Sequence, residues 1–273
     1  MNCINLKEHY KVAGGKLTPY TIDKPTSDKS DWRRPAVIVV PGGAYEHVSK
    51  REGAPVACHF VARGFQAFVL EYLVAPDGVR YPEQLHELAS AVDYVKNHAD
   101  EYHINKDEIF VLGFSAGGHL TANLAVDCSA VPEIVGEKLD CKVRAVGLCY
   151  PVISADLGHM RSHENLLAGY TDAEKQNLLK GLNLDKAVNK NTVPAFIWTT
   201  ATDESVPAIN SIKFAYVLAE KGVKYELHVY PEGDHGSSTC DREVNIEPNA
   251  IAKNAQWIDN CASFFRLFTV EKY

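Results

Sequence analysis

This sequence of 273 residues lacks most of the features that would place a chain in a special class. Its most apolar stretches, Ala36 to Val40 and Phe65 to Leu70, fall far short of the ~18 to 20 residues of a membrane-spanning helix. The first twenty residues carry Lys7, Glu8, His9, Lys11 and Lys16 and no apolar run of signal-peptide length, so they read as mature protein. There is no internal repeat, no low-complexity tract and no linker rich in Pro, Gly or Ser. The cysteines number seven, an odd count, and never come closer than the step from Cys141 to Cys149. Without a CxxC spacing they imply neither a zinc site nor a redox pair, and free thiols in a reducing cytoplasm are the expectation. Positive charge is also in short supply. The 28 Lys and Arg face 35 Asp and Glu, a formal net charge of -7. That argues against nucleic acid or an anionic membrane as the main partner, since both are bound by clustered cations. Neither G-x-x-x-x-G-K-[ST] nor G-x-G-x-x-G occurs, so no phosphate loop is indicated. No metal or organic cofactor is implied, and oligomeric state leaves no signature.

What is present is an ordinary globular composition, 46% apolar and 23% charged. The length allows two small domains or one large one, with a core that needs no staples. Apolar runs rich in β-branched residues alternate with segments of helical period. The strand candidates are Ala36 to Val40, Ala67 to Tyr72, Ile109 to Leu112, Ala145 to Cys149, Ala195 to Thr199 and Tyr225 to Tyr230. The first five are almost continuously apolar, as parallel strands buried on both faces must be. Between and after them the spacing predicts helices over Pro55 to Arg63, Pro82 to His98, Gly117 to Asp127, Pro207 to Lys221 and Asn249 to Phe268. Strand and helix in repeated alternation give a doubly wound, mostly parallel α/β sheet. The first thirty residues read as a short antiparallel pair at one edge. Residues 154 to 192 break the rhythm. They are Leu-rich but polar, and read as a small cap inserted over the C-terminal strand ends, where open α/β sheets bind ligands.

The chemistry lies in Gly113-Phe114-Ser115-Ala116-Gly117, a G-x-S-x-G between a predicted strand and a predicted helix. The sharp turn between them excludes a Cβ two residues either side of the serine, and it lifts Ser115 Oγ clear of the sheet. A serine hydroxyl needs a base, and the base needs an orienting carboxylate. Among the downstream histidines, His119 falls one helical turn from the serine and suits packing. His228 falls mid-strand, and His159 and His163 fall in the cap, able to touch substrate but better read as exposed loop residues. His235, in the turn-rich loop Pro231 to Gly236 directly after a strand, is the best base. Asp203, just past a buried strand and before a Pro-opened helix, is the best acid, with Glu204 its nearest competitor. An oxyanion also needs donors. These are assigned to the backbone N–H of Ala116 and to Gly43 or Ala44 in the loop Pro41-Gly42-Gly43-Ala44-Tyr45.

With these motifs in this order the chain resembles the α/β-hydrolase superfamily, and within it the esterases related to hormone-sensitive lipase and the bacterial acetyl and acetylxylan esterases. The resemblance runs from Pro41 through Tyr72 to Pro76, Gly113 to Leu120 and Asp203 to Pro207, ending at Asp234-His235-Gly236. It implies one α/β-hydrolase domain over residues 1 to 273, with a sheet of about eight strands and the cap at 154 to 192. It implies Ser115 as nucleophile, Asp203 as triad acid and His235 as general base and then acid, with Gly43, Ala44 and Ala116 around the oxyanion. Three residues depart from the group's pattern. Pro41 stands where histidine is frequent, Ala44 is the third small residue of the loop where glycine is usual, and Leu73 stands where arginine is usual, which removes an ion pair. The expected reaction is hydrolysis of a small-molecule ester, with acetyl on sugars or xylo-oligosaccharides as the expected class, by a soluble cytoplasmic enzyme. Tyr45, Tyr150 and Tyr170, near strand ends or in the cap, are candidates to stack on such a sugar. An amidase on the same triad, such as a formamidase, is the alternative, because kynurenine formamidases share an elbow followed by histidine, as at His119. A catalytically silent hydrolase fold acting as a ligand sensor is the third reading.

Overall fold

The computed structural model describes residues 3–25, 31–245 and 251–270. Its frame is one eight-stranded sheet in the order β1-β2-β4-β3-β5-β6-β7-β8. The strands are β1 (Ile4–Asn5), β2 (Lys16–Tyr20), β3 (Arg34–Val40), β4 (Gln66–Glu71), β5 (Ile104–Phe114), β6 (Ala145–Cys149), β7 (Ala195–Thr200) and β8 (Tyr225–Tyr230). From β4 to β8 every pairing is parallel, and β2 joins β4 and β1 antiparallel, forming the expected edge pair. The helices are α1 (Ala54–Ala62), α2 (Glu83–Asn97), α3 (Ser115–Val126), α4 (Val131–Val135), α5 (Met160–Leu166), α6 (Asp172–Leu182), α7 (Ile209–Glu220) and α8 (Trp257–Arg266).

The continuous apolar strands are explained by two cores, one on each face. In β3, Ala36, Ile38 and Val40 face the core made with α2, α3 and α7, while Val37 and Val39 face the core made with α1 and α8. A strand so placed needs apolar residues on both phases of its period of two. The α1/α8 side is knit by aromatics: the Trp198 and Trp257 rings stack at 5.4 Å and those of Phe110 and Phe265 at 4.5 Å. Among the described residues β8 has one neighbouring strand, and all of its residues but Tyr230 are at least partly exposed, which is why its run is less apolar.

Several predicted boundaries shift. β5 runs from Ile104 rather than Ile109, and α3 begins on Ser115 itself rather than Gly117. The last predicted helix is shorter, a single 3-10 turn at Asn254–Gln256 leading into α8, and its predicted start at Asn249 lies outside the described residues. The same holds for residues 26 to 30 and for Met1 and Asn2 of the predicted edge segment. Leu73, where arginine is usual in the resembled group, packs against Gly14 and donates its backbone N–H to Glu87 at 2.7 Å, so the buried carboxyl takes a main-chain donor.

Residues 154 to 192, between β6 and β7, carry α5 and α6. Asn165 donates to the Ala44 carbonyl at 2.8 Å, Arg161 pairs with Glu46, and the Leu182 carbonyl meets His119 on α3 at 2.9 Å. The segment therefore rests on the loop after β3 and on the helix that follows the elbow.

Candidate active site

The β5 to α3 turn places Ser115 at the C-terminal end of the sheet with φ +51°, a left-handed value that serine adopts only under constraint. The flanking glycines permit it. A Cβ on Gly113 would lie 2.2 Å from Thr121 Oγ1, and one on Gly117 would lie 2.2 Å from the Val40 carbonyl. The hydroxyl lies 2.8 Å from His235 Nε2, and His235 Nδ1 lies 2.7 Å from Asp203 Oδ2. Asp203 comes from the loop after β7 and His235 from the loop after β8, so three strand ends meet at one point. The Asp203 side chain is 1% exposed and that of His235 20%, which leaves the imidazole reachable and the carboxylate sheltered. Glu204, the competing acid, is exposed and adjacent to the bonded residue.

Opposite the serine runs the loop after β3. Gly43 has φ +126°, and a Cβ there would come within 2.0 Å of the His47 carbonyl; Ala44 and Tyr45 follow at φ +55° and +57°. A Cβ on Gly42 would lie 2.9 Å from Ser115 Cβ, so the loop backbone passes directly beside the hydroxyl-bearing residue. The N–H groups of Gly43 and Ala44 have no acceptor among the described residues. Ala116 N–H sits in the first turn of α3, where a helix offers no acceptor. Three unpaired donors at this end of the sheet can receive a negative oxygen.

The remaining histidines separate cleanly. His119 is buried, with Tyr45 Oη 2.9 Å from Nδ1 and the Leu182 carbonyl 2.9 Å from Nε2. Burial, reinforced by neighbouring His163, lowers its pKa to about 3. His163 is 1% exposed rather than a loop residue in solvent, its ring 4.8 Å from that of His119. His159 is half-buried and donates Nδ1–H to the Ser205 carbonyl at 2.8 Å. Burial holds it below its usual range, and the nearby His235 pushes the same way. His228 pairs with Glu226 on its own strand.

Two of the three tyrosines correct the sugar-stacking expectation. Tyr45 is fully buried, and Tyr150 is 2% exposed with its ring edge-on to His235 at 5.0 Å. Neither offers a free face. Tyr170 is half-buried, donates to the Tyr81 carbonyl at 2.8 Å and carries the Arg80 guanidinium over one face of its ring at 4.0 Å. Proximity to a strand end gave no information on whether a side chain turns inward. Sequence reading also missed Glu52, a buried carboxyl under the loop after β3, because Lys50-Arg51-Glu52-Gly53 has the composition of an exposed turn. Asn165, which holds the Ala44 carbonyl, gave no signal either.

Among the described residues no group of three or more His, Cys, Asp or Glu is placed to hold a metal ion, and no helix is long and apolar enough to cross a membrane.

The BD-FAE family model matches residues 22–218, and the dienelactone hydrolase family model matches residues 181–268, which include Asp203 and His235. The chain is 36% identical over 219 residues to endo-1,4-beta-xylanase B of Butyrivibrio fibrisolvens, covering 78% of this chain and 34% of that protein. It is 31% identical over 208 residues to an acetylxylan esterase of Xylanibacter ruminicola, covering 74% of this chain and 40% of that protein. The chain thus spans between a third and two fifths of these relatives. Among solved structures, an acetyl ester-xyloside bifunctional hydrolase from Caldicellulosiruptor lactoaceticus superposes with a TM-score of 0.81 at 31% identity, over 97% of this chain and 96% of that one. The carboxylesterase Cest-2923 of Lactobacillus plantarum superposes with a TM-score of 0.83 at 26% identity, again over 97% and 96%. With its eight-stranded sheet and its G-x-S-x-G elbow, the chain belongs to the BD-FAE family of α/β-hydrolases, among esterases related to acetylxylan esterase.

Proposed function

We propose that this protein is a serine carboxylesterase that removes short acyl groups, with acetyl esters of sugars or xylo-oligosaccharides as its substrate class. The observation that carries the reading is the chain of two hydrogen bonds from Ser115 Oγ through His235 to Asp203. In this mechanism His235 Nε2 takes the hydroxyl proton as Ser115 Oγ attacks the acyl carbonyl. The developing oxyanion is received by the N–H groups of Gly43, Ala44 and Ala116. His235 then gives its proton to the leaving alcohol, leaving an acyl-enzyme, and finally activates a water that releases the acid. Asp203 holds the tautomer with Nδ1–H and balances the imidazolium. The acetyl-sugar assignment draws on the relatives, one an acetylxylan esterase and one an acetyl ester-xyloside hydrolase.

Residues 154 to 192 serve as a cap within a single domain, resting on the oxyanion loop. The seven cysteines are unpaired, five of them buried, which suits a reducing compartment such as the cytoplasm. The test is turnover of 4-nitrophenyl acetate, 4-nitrophenyl butyrate, N-formylkynurenine and acetylated xylo-oligosaccharides by the wild type and by Ser115→Ala. The proposal expects release of acetate from the oligosaccharides and its loss in the variant. Ordinary turnover in Ser115→Ala, or hydrolysis of the formamide alone, would sink it.

A further inference from the structure

Glu52 is 3% exposed and sits in the 3-10 turn Lys50–Glu52 that follows the oxyanion loop. Both of its carboxyl oxygens accept hydrogen bonds, and neither bond comes from a cation. Oε2 takes the Gly42 N–H at 2.8 Å, and Oε1 takes the Tyr150 hydroxyl at 2.7 Å. Tyr150 follows β6, its ring stands beside His235, and its oxygen in turn accepts the Ser238 N–H at 3.0 Å from the loop that carries the histidine. The neighbouring residue Arg51 reaches the same loop, donating to the Gly236 carbonyl at 2.7 Å, and its own carbonyl receives the Ser238 hydroxyl at 2.7 Å. One buried carboxyl thus bridges the peptide that begins the oxyanion loop and, through one phenol, the loop of the base.

A buried carboxyl without a cation is costly unless every lone pair in use is well supplied with donors. Filling the space does not by itself require a carboxyl, since an apolar residue of the same volume would do so, but it would leave the Gly42 N–H and the Tyr150 hydroxyl without their acceptor. What the carboxyl supplies is orientation. Fixing Gly42 N–H toward Glu52 sets the rotation of the strand-to-loop peptide, and hence the direction in which the Gly43 and Ala44 N–H groups point. The tolerance is small, because Gly42 passes so close to Ser115 that a Cβ would come within 2.9 Å of the serine's own. We infer that Glu52 is a positioning residue for ester hydrolysis, holding the oxyanion donors and the His235 loop in register through Gly42 and Tyr150.

The inference rests on the Ser115 mechanism proposed above, and its test separates the two. Turnover of 4-nitrophenyl acetate by the wild type and its loss in Ser115→Ala probe the mechanism. Glu52→Gln probes the inference. Its amide has one acceptor where two are needed, so it must turn an N–H toward either the Gly42 N–H or the Tyr150 hydroxyl, whose own proton then loses its acceptor. Because the oxyanion donors act only on the transition state, kcat should fall about 10- to 100-fold, short of the 10²–10³ lost with a whole donor, while KM stays within about twofold. Affinity for a phenylboronic acid, whose tetrahedral adduct on serine occupies the oxyanion site, should fall in parallel. A purely structural carboxyl would lower Tm and leave kcat of the folded fraction alone. Folded Glu52→Gln with wild-type kcat, or with only KM raised, overturns the inference. Should that variant not fold, Tyr150→Phe decides, since it removes one hydroxyl and keeps the ring. A fall in kcat of about threefold or more at constant KM supports the inference, in keeping with the loss of one hydrogen bond, and an unchanged kcat overturns it.

Discussion

His235 Nδ1 lies 2.7 Å from Asp203 Oδ2, while the other oxygen of that carboxylate is already committed, accepting the N–H groups of Ser205 at 3.0 Å and Val206 at 2.8 Å. This asymmetry makes Asp203→Asn an informative substitution. The introduced amide cannot turn its NH₂ toward two backbone donors, so it must present that group to His235 Nδ1. The imidazole is then driven to the tautomer with its proton on Nε2, facing Ser115, and cannot accept the serine proton. The expected loss is about 10⁴ in kcat, as for the same change in other serine triads, with the fold and the thermal midpoint nearly unaltered. A folded variant that keeps a tenth or more of wild-type kcat on 4-nitrophenyl acetate would contradict the role given to Asp203.

Gly43→Ala should lower activity by a different route. The position needs φ +126°, and its Cβ would overlap the His47 carbonyl at 2.0 Å, where the chain turns back so that Glu46 and His47 donate to the Gly43 carbonyl. The loop must move, and displacements of about 1 Å at a reacting centre cost on the order of 10² in rate. Gly136 is the control. It also has a left-handed φ, +71°, but a Cβ there meets nothing within 4 Å. Gly136→Ala should cost about 1 kcal/mol of stability through backbone strain and leave kcat untouched, whereas Gly43→Ala should lower kcat by about 10² or more.

The parts of the fold visible in sequence were those dictated by burial on two faces. Ala36 to Val40 and Ala145 to Cys149 could be read as strands because a doubly covered strand has no polar phase. The elbow was legible for a related reason: Gly113 and Gly117 stand where no Cβ fits, and so few residue types are possible. Features that depend on the direction of a side chain were not visible. Tyr45 and Tyr150 lie at strand ends as expected, yet both turn into the core, and nothing local to either residue distinguishes that from facing a ligand. His163 and Glu52 lie in polar segments and are buried by contacts with distant parts of the chain. β1, two residues long, and α4, five residues long, are too short for periodicity to register.

The proposed oxyanion loop is held from residues 154 to 192 as well. Asn165 on α5 donates to the Ala44 carbonyl at 2.8 Å, fixing the peptide next to one proposed donor. Asn165→Ala removes a bond worth about 1 kcal/mol, so a fall in kcat of roughly fivefold is expected if that energy is used in the transition state. Arg161 pairs with Glu46 from the same helix, but both side chains are largely solvated, at 64% and 44% exposure, and such pairs contribute little. Arg161→Ala should therefore leave kcat and KM nearly unchanged. Equal effects from the two substitutions would show that α5 anchors the loop as a whole rather than through the Asn165 amide.

The pH dependence of stability should be governed in part by the buried imidazoles that join residues 154 to 192 to α3. The Leu182 carbonyl can only accept, so His119 carries its proton on Nε2, and Tyr45 donates to Nδ1. Protonating Nδ1 would break the Tyr45 bond and place a charge in the interior beside His163. Accordingly burial lowers the pKa of His119 to about 3 and that of His163 to about 4, against 6.5 for an exposed imidazole. Between those values the unfolded chain binds protons that the folded chain does not. Stability is then fully present above about pH 6.5 and is lost as pH falls, with a limiting slope near 1.4 kcal/mol per pH unit for each group. Glu87 works in the opposite direction. Burial raises its pKa to about 8 from 4.5, so its contribution declines as pH rises through that interval. In His119→Gln the amide can accept from Tyr45 and donate to Leu182, keeping both bonds in a side chain that does not titrate. Urea unfolding between pH 7 and 5 should show the wild type losing stability on acidification more steeply than His119→Gln, by an amount approaching one proton, about 1.4 kcal/mol per pH unit. Parallel curves for the two proteins would mean that His119 is not held neutral in the folded state.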